Sequence, residues 1–248
     1  MTSDRSGSSS GKPGDIFVTT RWTMVLKAAH SDTTRARVAL ADLCQTYWFP
    51  LYAYVRRRGH SPHDAEDLTQ GFFARLLRLN SLSVVRRENG KFRAFLLASM
   101  KHFLADEWDR ASAQKRAMER TVSLDAEIAE RRYQAEALDQ LNPERLFERQ
   151  WALTLLETVV QRLCREYEAA GRGEMFSELR FAITGDKSTV PYAMLAARLG
   201  SSEESVRVSV HRLRQRYRRL LREEIAHTVE DPSEVGGELI ALRRALSS

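Results

Sequence analysis

The stretch Pro191–Glu224, PYAMLAARLGSSEESVRVSVHRLRQRYRRLLREE, constrains the fold more than any other part of the chain. A short apolar run, a glycine at Gly200 and a long basic run read as a helix, a tight turn and a second helix. Ser202 suits the N-cap of the second helix, and Ser201 with Glu204 offers an alternative S-x-x-E capping box. Along that helix Val206, Val210, Leu213, Tyr217 and Leu220 recur at alternating four- and three-residue steps, which makes one buried seam. The opposite face collects Ser205, Val208, His211, Arg212, Gln215, Arg219 and Arg222, flanked by Arg207 and Arg218. A packed seam with a small-polar, then basic outer face suits the second helix of a helix-turn-helix lying in a major groove. Its first half would meet base edges and its arginine-rich second half phosphates. The plainer reading is a solvated basic helix in an ordinary bundle, but capping, turn and face all agree on nucleic acid.

The rest of the composition is consistent with such a partner. The 248 residues carry a formal net charge of +6, a modest excess that favours polyanions. No secretory pattern opens the chain and no apolar run approaches membrane-spanning length, so the expectation is a cytoplasmic protein without membrane insertion. Cys44 and Cys164 stand alone inside apolar helical patterns and are expected to be core residues, with neither zinc spacing nor a disulfide framework. Helical periodicity is widespread and alternating β-branched runs are nearly absent. The expected fold is all-α: two small helical domains joined by a charged linker.

In chain order, residues 1–15 are rich in Ser and Gly and read as a disordered tail. A short helix with Trp22, Val25 and Leu26 buried is expected next. A longer one follows through Val38, Leu40, Leu43, Tyr47, Leu51 and Val55, kinked or restarted at Pro50 and stopped at Gly59. In SPHDAEDLTQGFFARLLRL, Ser61 caps, Pro62 takes the first helical position, and Asp64, Glu66 and Asp67 complement the positive helix end. Ala65, Leu68, Phe72, Leu76 and Leu79 form its buried stripe. Phe73 and Leu77 lie on another face beside Glu66 and Gln70, which is either a docking surface or the seat of a neighbouring helix.

A basic loop, residues 80–91 with Arg86, Arg87 and Lys91, precedes the helix FRAFLLASMKHFLADEWDR. That helix buries Phe92, Leu96, Met100, Phe103 and Leu104. Its other face presents Phe95, Lys101 and His102, where an aromatic beside basic groups could stack an unpaired base or simply be core. Residues 111–141 read as a solvated, partly helical linker. Asn142-Pro143-Glu144 starts a fresh helix whose Phe147, Trp151, Leu155, Val159, Val160 and Leu163 suffice to found a second core. After Thr228, Asp231-Pro232 breaks the chain, and Val235, Leu239, Leu242 and Leu246 give a final amphipathic piece with no evident partner.

These motifs, in this order, resemble a bacterial sigma factor, closest to the compact extracytoplasmic-function type of the sigma-70 family. Asp64-Ala65-Glu66-Asp67-Leu68-Thr69-Gln70 is similar to the D-A-E-D-L-x-Q signature with which that family docks on core RNA polymerase. Phe92-Arg93-Ala94 through Asp106 is similar to its −10 recognition helix, and Leu199 through Arg212 to its −35 helix-turn-helix. The resemblance implies residues 16–110 as a region-2-like domain, 111–141 as linker, 142–228 as a region-4-like domain and 229–248 as a C-terminal extension. It implies Asp64, Glu66, Asp67, Gln70 and Phe73 on the polymerase. Arg86, Arg87, Lys91, Phe95, Lys101 and His102 would meet the −10 element. Ser205, Arg207, Val208, His211, Arg212, Arg218, Arg219 and Arg222 would meet the −35 element.

The implied function is promoter recognition, promoter melting and transcription initiation with core polymerase and promoter DNA, under an anti-sigma or other regulatory protein, without cofactor, metal or catalysis. Gly71 departs from the family's usual Glu, and Ser99, Met100 and His102 from its Ile, Ala and Asn. Extra sequence around 171–190 and beyond Thr228 marks a divergent branch.

Two other readings compete. A stand-alone helix-turn-helix regulator accounts for Pro191–Glu224 but gives Asp64–Gln70 no task. An enzyme would start from His60, His63, Asp64, Glu66 and Asp67 as a metal cluster, with His63 and Asp67 one turn apart. No second ligand cluster accompanies it, and acids at a helix start have an ordinary electrostatic explanation.

Overall fold

The apolar periodicities become helices in the computed structural model, which describes residues 34–78, 91–113, 124–136, 141–184 and 190–247. They are α1 (Thr34–Arg57), α2 (Pro62–Arg78), α3 (Phe92–Ala113), α4 (Leu124–Glu136), α5 (Pro143–Ala169), α6 (Gly173–Leu179), α7 (Phe181–Thr184), α8 (Tyr192–Arg198), α9 (Glu203–Ala226) and α10 (Val235–Leu246). A 3-10 turn, Pro232–Glu234, precedes α10. Among the described residues there is no strand, only an isolated antiparallel bridge between Lys91 and Val229. The fold is all-α, as expected. The expected tail at 1–15, the helix expected around Trp22, the loop expected before Lys91 and residues 185–189 lie outside the described residues.

Two apolar clusters organise the helices. The first gathers Tyr47, Leu51, Tyr52 and Val55 of α1, Phe72, Phe73 and Leu76 of α2, and Phe92, Phe95, Leu96 and Met100 of α3. The second gathers Phe176 and Leu179 of α6, Leu195 of α8, and Val206, Val210, Leu213 and Leu220 of α9. Helix α5 belongs to both. Its Phe147, Trp151, Ala152 and Leu155 enter the first cluster, and its Val159 and Leu163 the second. At 1.5 Å per residue its 27 residues make a rod about 40 Å long. The expectation that Phe147, Trp151 and Leu155 help found a second core is therefore corrected: they complete the first. Periodicity marks a buried stripe but not the partner that buries it.

Several local expectations change under packing. Helix α1 continues through Pro50 without restarting. The lost hydrogen bond, which costs about 3 kcal/mol in an exposed helix, is outweighed here because Tyr47, Phe49, Leu51 and Tyr54 on both sides are buried. Val38 was expected on the buried stripe but is 56% exposed. Gly59 ends the helix at φ 95°, a left-handed conformation that costs glycine nothing. Cys44 is core, and burial pushes its thiol up to about 12. Cys164 is half-buried against the second cluster.

The stretch expected as a solvated linker contains α4, which is pinned to α1. Arg56 of α1 donates from Nε and Nη2 to Glu130, both at 2.8 Å, and Tyr52 Oη donates to the same carboxylate at 2.7 Å. Arg132 lies 4.1 Å above the Phe49 ring and Arg56 5.0 Å above Tyr133. Ala129 reaches the first cluster. Sparse hydrophobics hid this docking, because most of the attachment is ionic and cation–π.

The C-terminal piece also has a partner. Leu242 and Ala245 of α10, with Ile225 at the end of α9, pack into the first cluster. The chain therefore returns after α9 to the bundle it began with.

Candidate nucleic-acid interface

Helices α8 and α9 meet at a turn built from local chemistry. Gly200 adopts φ 58°, and Ser201 N donates to Ala196 O at 2.9 Å, which closes the end of α8. The Ser202 side chain then accepts from Ser205 N at 3.2 Å and caps α9. Glu203 and Glu204 stand in the first turn, where acids complement the helix dipole. Val206, Val210, Leu213 and Leu220 are buried and Tyr217 is half-buried, so the seam faces the second cluster.

Facing away, Ser205, Arg207, Val208, His211, Arg212, Arg218, Arg219 and Arg222 are all exposed. Arg212, Gln215, Arg218, Arg219 and Arg222 line one concave surface together with Arg216. Among the described residues, none of Arg212, Arg218, Arg219 and Arg222 closes a salt bridge. Arg207 has a loose pair, 3.7 Å from Glu203, and lies 5.7 Å above the Tyr192 ring. The face is thus an open row of cations.

Arginines on the inner side of α9 behave differently. Arg216 donates from Nε to Glu166 at 2.7 Å, and Arg162 of α5 binds Glu223 and Glu224, each at 2.7 Å. The hydrogen bond from Arg216, then the surrounding positive charge, holds the Glu166 carboxyl below its ordinary range. These pairs fix the roll of α9 on α5 and leave the outer row free to face a partner.

The acidic signature on α2 begins with the expected cap: Asp64 N donates to Ser61 Oγ at 3.1 Å. Asp64, Asp67 and Gln70 are exposed. Glu66 is only 6% exposed and accepts from Gln70 Nε2 at 2.9 Å, so it is placed as a buried, hydrogen-bonded acid. Two nominations are corrected. Phe73, expected on the polymerase surface, is 7% exposed and packs edge-on against Phe72 at 5.4 Å. Phe95, expected against an unpaired base, is 8% exposed with its ring 6.3 Å from that of Phe92. Both side chains belong to the first apolar cluster of the chain itself. His63 Nδ1 lies 3.4 Å from Asp67, but among the described residues no group of three or more ligating side chains converges.

On α3, Lys101 and His102 are exposed, and Lys101 pairs with Glu144 of α5 at 2.8 Å. Arg86 and Arg87 lie outside the described residues. Lys101 also lines a cleft of about 610 Å³ with Arg58, His60, Asp64, Asp67 and Trp108. The cleft brings together residues nominated separately for polymerase and for DNA. Trp108 was missed. It follows Leu104 by four residues, a spacing that reads as core, yet it is 73% exposed. Its exposure alone singles it out.

At the start of α3 sits a charged node between distant segments. Arg93 donates from Nε and Nη2 to Glu238 of α10, at 2.8 and 3.1 Å, and also binds Glu148 of α5. Its guanidinium lies 4.8 Å above the Trp151 ring. Lys91 Nζ reaches Glu238 at 3.0 Å, and Phe92 N donates to Thr228 O at 3.0 Å. Burial raises the Glu148 carboxyl. It works the same way on Glu238, but the hydrogen bonds from Arg93 and Lys91 prevail there and hold Glu238 below its ordinary range.

No helix among the described residues is long and apolar enough to cross a membrane. No curated protein and no solved structure matches the chain. Residues 43–114, from α1 through α3, match the family model for sigma-70 region 2. Proteins of that family are transcription initiation factors that bind core RNA polymerase and promoter DNA. The stretch from α1 through α3 is therefore similar to region 2 of sigma-70 factors.

Proposed function

We propose that the chain is an extracytoplasmic-function-type sigma factor of a divergent branch, acting in the cytoplasm. The observation that carries this reading is the pairing of a region-2 match over residues 43–114 with the open cationic row of α9. In this reading Asp64, Asp67 and Gln70 hold core polymerase. Ser205, Arg207, Val208, His211 and Arg212 reach base edges of the upstream element in the major groove, and Arg218, Arg219 and Arg222 meet phosphates. Lys101 and His102 border the downstream strand, and Trp108 offers that strand the exposed aromatic face that Phe95 does not. Extruding a base costs a few kcal/mol, which stacking and phosphate contacts must offset. The polymerase supplies the chemistry of initiation.

Run-off transcription with core polymerase on a promoter library tests this directly. Specific transcripts that depend on the added protein are the expected result. Sequence-specific DNA binding with neither core association nor transcripts would identify a stand-alone regulator instead.

A further inference from the structure

Glu238 is a carboxylate only 1% exposed, seated on two cations 145 and 147 positions earlier in the chain. Its contacts are those of an oxyanion ligand. It receives two parallel hydrogen bonds from one guanidinium fork and a third from an ammonium group, the pattern by which Arg and Lys hold phosphate. The cations it neutralises, Lys91 and Arg93, flank the first residue of α3, within the segment matched to sigma-70 region 2. We propose that Glu238 is an internal stand-in for a DNA phosphate: helix α10 masks a phosphate site formed by Lys91 and Arg93, and a bound strand displaces it. The proposal rests on the sigma-factor reading above.

The build of α10 suits a displaceable element. It has 12 residues, a length at which an isolated helix is marginal. Gly236 and Gly237 occupy its first turn, face open space and weaken it further. Its apolar attachment is one stripe, in which Val235 and Leu239 are half-buried against the first cluster. Leu242 and Ala245 are buried, whereas Ile240 and Leu246 are exposed. One backbone bond, Phe92 N to Thr228 O, and the Lys91–Val229 bridge join the returning segment to α3. The node adds three charge-assisted contacts to that hold. Glu148 stays on Arg93 when α10 leaves, so Lys91 is the cation most fully released.

The test uses the full chain and a 20-nucleotide single-stranded DNA of mixed sequence at fixed salt. Glu238→Gln keeps the shape of the side chain and removes its charge. It is expected to tighten binding on the order of tenfold, the scale of one charge-assisted hydrogen bond. Most of that gain should vanish when Lys91→Gln is added, which a purely structural role for Glu238 would not produce. Equal affinity of wild type and Glu238→Gln overturns the proposal, as does a gain that persists in full without Lys91. Should Glu238→Gln fail to fold, hydrogen exchange of the wild-type chain decides. Exchange across residues 226–246 should accelerate when the DNA binds, and unchanged or slower exchange overturns the displacement. If neither protein binds the DNA and no run-off transcript forms with core polymerase, the sigma-factor reading fails and the latch with it. Binding and transcription without any Glu238 effect defeats the latch alone.

Discussion

The outer row of α9 and the start of α3 are both rich in arginine and lysine, yet the fold treats them in opposite ways. On α9, Arg212, Arg218, Arg219 and Arg222 point to solvent and close no salt bridge among the described residues. At α3, Arg93 is enclosed by Glu148, Glu238 and the face of Trp151. Exposed cations contribute little to stability and keep their charge available for a partner. A buried cation with two carboxylates holds segments together, and removing one member strands the others in low dielectric. The same residue type therefore serves binding in one place and closure in the other, and the environment decides which.

The sharpest break of that contrast is Arg93→Ala. It leaves Glu238 buried beside Lys91 alone and should cost about 3–5 kcal/mol in a denaturant melt. A loss below about 1 kcal/mol would mean the node is not a structural closure. Arg219→Ala, in the same melt, should stay within about 0.5 kcal/mol while weakening DNA binding across all sequences and lowering the salt slope by about 1.

Next in size is Arg212→Ala. As a base reader it should lose about 1–3 kcal/mol of discrimination at one position of the upstream element. An unchanged sequence preference in a footprint would move Arg212 to the phosphate group. Ser202→Ala removes the cap at the turn and should cost about 1 kcal/mol of stability. Normal melting would show that the seam alone fixes the start of α9.

Acid provides a further comparison between ionic attachments. The hydrogen bond from Arg56, aided by Tyr52, holds the Glu130 carboxyl below its ordinary range against the opposing effect of burial. A folded-state value below the unfolded one stabilises the protein above the ordinary glutamate pKa of about 4.3, and that contribution drains away as pH falls further. Glu130→Gln should flatten the acid limb of a stability–pH curve in that range. An unaltered limb would show that α4 is held without this pair.

A modest gain in stability is expected from Gly71→Ala on α2. A Cβ there would stand 3.6 Å from Phe103, an ordinary contact, so the helix should gain up to about 1 kcal/mol. Destabilisation would reveal a tighter fit between α2 and α3 than that distance implies.

Much of the candidate interface was legible because it is local. The Ser202 cap, the Gly200 turn and the period of Val206, Val210, Leu213 and Leu220 each depend on residues within two helical turns. Which face of α9 is outward follows from that seam alone. Phe73 and Phe95 were less legible, because a second apolar face reads identically whether a helix of the same chain or another molecule covers it. Trp108 is the reverse case, a core-like spacing left uncovered. The match over residues 43–114 agrees with the acidic signature on α2 and the aromatic start of α3, both visible as short motifs.

The helical class of the chain, the start of α9, its seam and its outward cations follow from local chemistry in the sequence. Those outcomes come from φ/ψ preferences, caps and a 3.6-residue period, all of which act between near neighbours. Three features emerge only from long-range packing: α5 runs through both apolar clusters, Glu130 pins α4 to α1, and α10 returns to seat Glu238 on Arg93. Apolar stripes and charges can pair with many partners. The choice among them rests on close packing and on satisfying buried charge, which are settled only when distant segments meet.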